Sequence, residues 1–377
     1  MSRLAMLIIA PAFCYLLIAL PVEHSTVAKA GQASGQDPRT VQINVQEKIN
    51  ALSSPDTHAR ASAACYIAES GAKPEAAIPH LIRMLGDDTP LDSVECGENR
   101  SWRGKFGKGS ATSPGEEAAK ALMSIGKPAV EPLIGVVKSS DWRVRKNATW
   151  ALGPIDDERT VDPVIASLGD GDWRVREVAA WGLGLKKDPR VVDPLINALR
   201  ESNGQVREKA AWALGLQGNR NSVEPLNAAL SDSEPQVRER AAWALGLKGD
   251  ARSVGPLVGA LKDSESQVRE QAAWALGLKG NRNSVEPLVE SLRDQNPQVR
   301  EKAAWALGLR GDGRALDALK DAMKDENLEV RRKASWALGL LMHRGGGPDG
   351  DEGLGTDDES GGQNGPAQKR RRRSSSN

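Results

Sequence analysis

Seven tryptophans, Trp150, Trp181, Trp212, Trp243, Trp274, Trp305 and Trp336, stand 31 residues apart over six unbroken steps. Arg145, Arg176, Arg207, Arg238, Arg269, Arg300 and Arg331 keep the same spacing, each preceded by a valine. Pro132, Pro163, Pro194, Pro225, Pro256 and Pro287 repeat in step, with Ala318 in the seventh place. A unit this short cannot bury its apolar face alone. A fixed period in this range therefore predicts an array in which each unit packs on its neighbours. The chain has ten Trp against two Tyr and two Phe, a skew that copying of one unit explains. With 39% hydrophobic residues and a net charge of +1, it is neither a disordered acidic chain nor a strongly basic nucleic-acid binder. Three cysteines exclude a disulfide-rich scaffold and a Cys-based zinc module.

One unit can be read physically. In the segment 236–247, Val237, Ala241, Ala244 and Leu245 fall at i, i+4, i+7 and i+8, one face of an α-helix whose small alanines permit close packing. Lys248-Gly249-Asp250 ends it. A second helix follows, with Val254, Leu257 and Leu261 on one side, and Pro256 is tolerated near its start, where its missing N–H has no partner to lose. The pattern predicts an all-α fold, a right-handed α-solenoid of two-helix repeats.

The Val-Arg-x-x-Ala-Ala-x-Ala-Leu-Gly core, the Gly-Asp or Gly-Asn turn and the Val-x-Pro-Leu second helix resemble the HEAT-repeat family, in its short class found in phycobilin lyases and deoxyhypusine hydroxylases. The resemblance covers residues from about Asp141 to His343, with degenerate copies at His58–Leu85 and Glu116–Val137. The expected organisation is a signal peptide or N-terminal anchor over 1–30, a linker over 31–45 and a degenerate first repeat over 46–86. An inserted loop over 87–115 and the repeat array over 116–343 follow, then a Gly-rich and acidic tail with a basic end over 344–377. The architecture is specific for fold and hosts many functions.

On a helical wheel the Trp position is offset from the centre of the apolar face by roughly a right angle. Stacked repeats then align the tryptophans in a ladder beside Gln205, Gln236, Gln267 and Gln298, with Lys209, Arg240 and Lys302 on the same stripe. In scaffolds this chain resembles, the Trp slot lines the concave binding face. Seven half-exposed indoles would present on the order of 700 Å² of apolar surface, more than the roughly 300–600 Å² of a typical monomer's largest patch. The row must be packed between repeats, covered by a partner, or used for binding, and both packing and binding stay open. Lys186, Gln217, Lys248, Lys279 and Arg310 stand where relatives carry an apolar residue, with Leu185, Leu216, Leu247, Leu278 and Leu309 one place earlier. That shift predicts a buried stripe rotated toward the Trp side. Glu208, Glu239, Glu270 and Glu301 are expected to be solvated beside the ladder.

Asp170, Glu201, Asp232, Asp263, Asp294 and Asp325 each lie six residues before a Val-Arg arginine. In arrays this chain resembles, such residues, here with Arg176, Arg207, Arg238, Arg269, Arg300 and Arg331, tie repeats together. Deoxyhypusine hydroxylases bind iron through His-Glu pairs. The histidines here, His24, His58, His80 and His343, are not followed by Glu, so no catalytic set, cofactor or metal site is expected.

Arg3, the uncharged run from Leu4 to Val22 and Ala28-Lys29-Ala30 have the form of a secretory signal peptide, which places the body outside the cytoplasm. A retained segment would instead anchor the protein to a membrane. In an oxidising compartment Cys65 and Cys96 could pair or stay as buried thiols. Asn99-Arg100-Ser101 and Asn147-Ala148-Thr149 fit the glycosylation sequon. Lys369–Arg373 reads as a solvated charge run with no specific nucleic-acid role. The expected function is non-enzymatic: an extracytoplasmic scaffold binding a protein or peptide partner along its concave face through the ladder. A glycan or cell-envelope polymer on the same row is the alternative, and a short-HEAT oxidoreductase or lyase is disfavoured.

Overall fold

The computed structural model describes residues 38–92, 94 and 112–344. These form 18 α-helices: an N-terminal helix, eight two-helix units and a last unpaired helix, Leu328–Arg344. The helix Pro38–Ala51 begins inside the segment expected to be linker. The signal segment 1–30, Cys96, the first sequon and the tail beyond Arg344 lie outside the described residues. Where the inserted loop leaves and rejoins the array, Leu91 and Thr112 exchange backbone hydrogen bonds of 2.8 and 3.0 Å. The second sequon is inside the core: the Asn147 side chain is buried and donates to the Leu85 carbonyl at 2.8 Å.

Each unit begins with a longer helix, which from Trp142–Leu152 onward carries the Trp. Asp141, Asp172, Asn203 and Asn296 cap these helices by accepting from backbone N–H groups in the first turn. Val237, Ala241, Ala242, Ala244 and Leu245 of the helix Pro235–Lys248 are fully buried. Two adjacent buried alanines mean that this helix is covered over more than one side. A short 3-10 turn, Ala251–Ser253, then leads into the second helix, Val254–Ala260, which buries Val254 and Leu257.

Consecutive first helices lie side by side along their length, whereas consecutive second helices in the regular repeats barely touch. The cause is side-chain size: Ala and Gly line the contacts between first helices. Helices that approach more closely on one side bend a stack toward that side, so the first helices form the inner surface of the array.

Arginine and aspartate rows bind successive units together. Arg207 donates through Nε and Nη2 to both oxygens of Asp232, each at 2.7 Å, and Arg238 does the same to Asp263 at 2.7 and 2.8 Å. Arg145 with Asp170, Arg269 with Asp294 and Arg300 with Asp325 repeat the fork. Each arginine thus clamps the acid 25 residues ahead, in the next turn. Its Nη1 donates back to the carbonyl of the residue six before it, as Arg238 does to Asp232 at 2.9 Å and Arg331 to Asp325 at 2.7 Å. The aspartate also accepts from the backbone N–H two residues on, Glu234 to Asp232 at 2.9 Å.

Position 201 is the exception. Glu201 makes a single contact with Arg176, 3.2 Å from Nε. One extra methylene carries the carboxylate past both the fork and the N–H of Asn203. Glu201→Asp is expected to restore both and to stabilise the protein by about 1 kcal/mol. A melting temperature equal to or below that of the parent would contradict this account.

Candidate binding face

On the inner surface the indole row is packed between repeats at one edge and open at the other. Trp150, Trp181, Trp212, Trp243, Trp274, Trp305 and Trp336 are all half-buried. From Trp181 onward each sits over the glycine that follows the core leucine of the preceding repeat. A Cβ added at Gly215 would lie 2.4 Å from Trp243 Cζ3, at Gly246 2.3 Å from Trp274 Cζ3, and at Gly277 2.5 Å from Trp305 Cζ3. Gly184 stands in the same relation to Trp212, and Gly308 to Trp336. The glycine therefore makes the slot into which the next repeat's indole fits. Where Gly153 faces Gly182, the backbones come closer still, and Trp150 stacks on Trp181 with centroids 5.8 Å apart and planes 6° from parallel. Of the two expectations for the row, packing is what the geometry displays, and it leaves part of every indole accessible.

The apolar stripe is not rotated toward the Trp side. Leu247 and Leu278 are 37% and 39% exposed, on the same inner stripe as the tryptophans. The polar residues that follow Leu185, Leu216 and Leu309 have a different role. Lys186 is buried and its ammonium donates to the Leu152 and Ile155 carbonyls at 2.9 and 2.7 Å and to Thr160 Oγ1 at 2.6 Å. Gln217 donates to the Gly184 carbonyl at 2.8 Å and Arg310 to the Gly277 carbonyl at 2.7 Å. They satisfy carbonyls at the C-terminal end of the preceding first helix, groups that a helix leaves without partners. Burial pushes the Lys186 ammonium down to about 8, an effect the nearby charges of Asp156 and Asp157 only partly offset.

Gln205, Gln236, Gln267 and Gln298 are exposed at the start of their helices. Lys209, Arg240 and Lys302 are half-buried and engaged with the glutamates beside them. Arg240 lies 3.4 Å from Glu208, and Lys302 lies 3.9 Å from Glu270 and 3.6 Å from Glu301. The glutamates expected to be solvated are instead half-buried, sunk between neighbouring helices. Burial pushes the carboxyls of Glu177 and Glu270 above the usual carboxylate range, against the pull of Lys209 and Lys302 respectively. The inner face is thus a stripe of Gln, basic residue, Trp and Leu, flanked by a row of Glu.

A second charged row follows the 3-10 turns between the two helices of a unit. Asp157, Asp188, Asp250 and Asp312 each cap a 3-10 turn and hold the arginine two residues on, Arg159, Arg190, Arg252 and Arg314. Those arginines reach the preceding repeat, Arg159 to Glu131 and Arg190 to Asp162, both at 2.9 Å. The Asp-x-Arg pairs keep the 31-residue register, with Asn219 and Asn281 in the intervening places, so the signal was present. These pairs are half-exposed and contribute little to stability.

Cys65 is disulfide-bonded, and Cys96, which the sequence offers as a possible partner, lies outside the described residues. Among the described residues no group of three or more His, Cys, Asp and Glu is placed to hold a metal ion. His80 meets Ser53 and Arg83 on the surface, in a different repeat from His343.

A family model for HEAT repeats matches residues 115–184, 161–234, 192–277, 223–293 and 285–350. With the paired helices, the Trp slots and the Arg-Asp clamps, that coverage places this chain in the HEAT-repeat family. Solved structures similar to it include the YibA protein of Escherichia coli, 24% identical over 59% of this chain and 84% of that one, with a TM-score of 0.46. The CpcE–CpcF complex of phycocyanin lyase from Nostoc sp. PCC7120 is 25% identical over 56% of this chain and 94% of that one, TM-score 0.39. Human deoxyhypusine hydroxylase is 22% identical over 71% and 97%, TM-score 0.31. A comparison with curated protein sequences gives no match.

Proposed function

We propose that this protein is a non-catalytic scaffold outside the cytoplasm that binds a protein or peptide partner along the inner face of its solenoid. The observation that carries this reading is the inner stripe itself. Partly open indoles and leucines recur there beside exposed glutamines with a constant offset over the regular repeats. Exposed apolar rows rimmed by polar residues are the mark of an interaction surface. The extended, evenly spaced form suits an extended polypeptide, which makes small, repeated contacts. The N-terminal basic and apolar segment supports an extracytoplasmic site, as does the disulfide at Cys65.

The tryptophans are poor probes of binding, because truncating them also empties the slots between repeats. Leu247 and Leu278 are better. Leu247→Arg combined with Leu278→Arg is expected to abolish co-purification of the partner from envelope extracts, with the melting temperature within about 1 °C of the parent. Undiminished capture would remove the inner face from consideration. A saturable change in tryptophan fluorescence with cell-wall glycans, lost in the same variant, would assign the row to a sugar polymer instead.

A further inference from the structure

The array contains one internal precedent for what its inner edge can hold. Trp142 opens the helix Trp142–Leu152, and Arg174 of the next repeat lies over its ring, 3.7 Å from guanidinium carbon to centroid. Asp172 fixes that guanidinium through two hydrogen bonds, from Nε at 3.0 Å and Nη2 at 2.8 Å. Indole face and carboxylate together form a guanidinium seat.

One repeat later the aromatic platform recurs and the cation does not. Trp173 is the counterpart of Trp142, but the positions of Asp172, Trp173 and Arg174 are now taken by Asn203, Gly204 and Gln205. The nearest guanidinium, that of Arg174, is 5.6 Å from the Trp173 ring centroid and already committed to Trp142 and Asp172. A cavity of about 530 Å³ opens beside Trp173, lined by Asn203, Gly204, Gln205, Glu208, Glu234 and Gln236. Its lining contains two carboxylates and no cation. Glu208 is shared with Lys209 and Arg240, each at 3.4 Å, which leaves Glu234 as the carboxylate without a cation among these residues. Gly204 admits the Glu234 side chain, which lies across it into the cavity wall: a Cβ there would lie 2.6 Å from Glu234 Cγ. Gln205, Glu208 and Gln236 also belong to the inner stripe, so the cavity is continuous with it.

We propose that the Trp173 cavity is a guanidinium pocket that takes an arginine side chain of the bound polypeptide. The guanidinium stacks on Trp173, as Arg174 does on Trp142, and donates to the Glu234 and Glu208 carboxylates and the glutamine carbonyls. A planar fork meets this set better than an ammonium, which neither stacks nor pairs in bidentate fashion. The inference rests on the peptide-binding reading of the inner face and adds a side-chain specificity to it.

The test uses the full chain and the probe acetyl-Gly-Arg-Gly-amide, followed by the Trp173 indole N–H resonance, assigned with Trp173→Phe. The expected result is a saturable shift, with at least tenfold weaker binding of the lysine and norleucine peptides. Gln205→Arg with Asn203→Asp supplies the chain's own guanidinium and should weaken the probe at least tenfold, and Glu234→Gln should weaken it severalfold. Equal binding of the lysine or norleucine peptide, no saturation, or unchanged affinity in both variants overturns the proposal. So does a neutral oligosaccharide that saturates the resonance when the arginine peptide does not. Partner capture that survives Gln205→Arg with Asn203→Asp but is lost in the leucine variant rejects the pocket alone and leaves the inner-face reading standing.

Discussion

Gly246→Ala is expected to destabilise the protein by about 2 kcal/mol, against the usual direction of a glycine-to-alanine change inside a helix. Alanine ordinarily gains up to about 1 kcal/mol there by restricting the unfolded chain. At this position the new Cβ would lie 2.3 Å from Trp274 Cζ3, 2.8 Å from Cε3 and 3.2 Å from the Ala275 Cα. The indole is wedged between two helices and the other neighbour is backbone, so relief requires the two repeats to part. Gly259→Ala is the control. It is exposed in the second helix Val254–Ala260 with nothing within 4 Å, and alanine there should stabilise by up to about 1 kcal/mol. Thermal unfolding of the two variants separates the effects by sign. If Gly246→Ala melts no lower than the parent, the indole does not occupy the slot and the row is free of the packing described here.

Arg238→Ala should cost about 2–3 kcal/mol, the loss of charged hydrogen bonds to a part-buried carboxylate. Asp263, its acceptor, is 9% exposed, and Arg238 also donates to the Asp232 and Ser233 carbonyls at 2.9 and 3.3 Å. The same clamps set the response to acid. For Asp170, Asp232, Asp263 and Asp294 burial alone would raise the carboxyl. The arginine fork and the backbone N–H outweigh it, and each group is held below its usual 3.8. Asp325 is likewise held low, chiefly by its hydrogen bonds to Arg300. A carboxylate depressed in the folded state stabilises fully above its unfolded value and loses that contribution as pH falls through the folded one. Stability from the five clamps is therefore expected to be flat above about pH 5 and to fall together below pH 3.8. Arg238→Ala removes one clamp, so its acid transition should be shallower. A parent and variant with parallel pH profiles would show that the clamp carries no linkage.

The repeat unit, its two helices and the family were legible because each rests on periodicity: Val237, Ala241, Ala244 and Leu245 recur at helical spacing, and the unit recurs at 31. The pairing of Arg207 with Asp232 was only half legible. The sequence places an acid six residues before every arginine from Arg176 on, whereas the side chain of Arg207 reaches the acid 25 residues ahead, across the interface with the next unit. The Lys186, Gln217 and Arg310 positions were misread as a rotated apolar face because a residue that follows a leucine in a helix looks misplaced until the open carbonyls of the preceding helix are seen beside it.

By itself, then, the sequence determined everything that depends on copying and on near neighbours: a solenoid, its register, and the alignment of seven tryptophans in one row. Only the tertiary structure decided which way that row faces. Side-chain direction at a boundary about a right angle from the core depends on what the adjacent helix offers. Here the preceding repeat offers a glycine, whose missing side chain admits one edge of the indole and leaves the other on the inner surface.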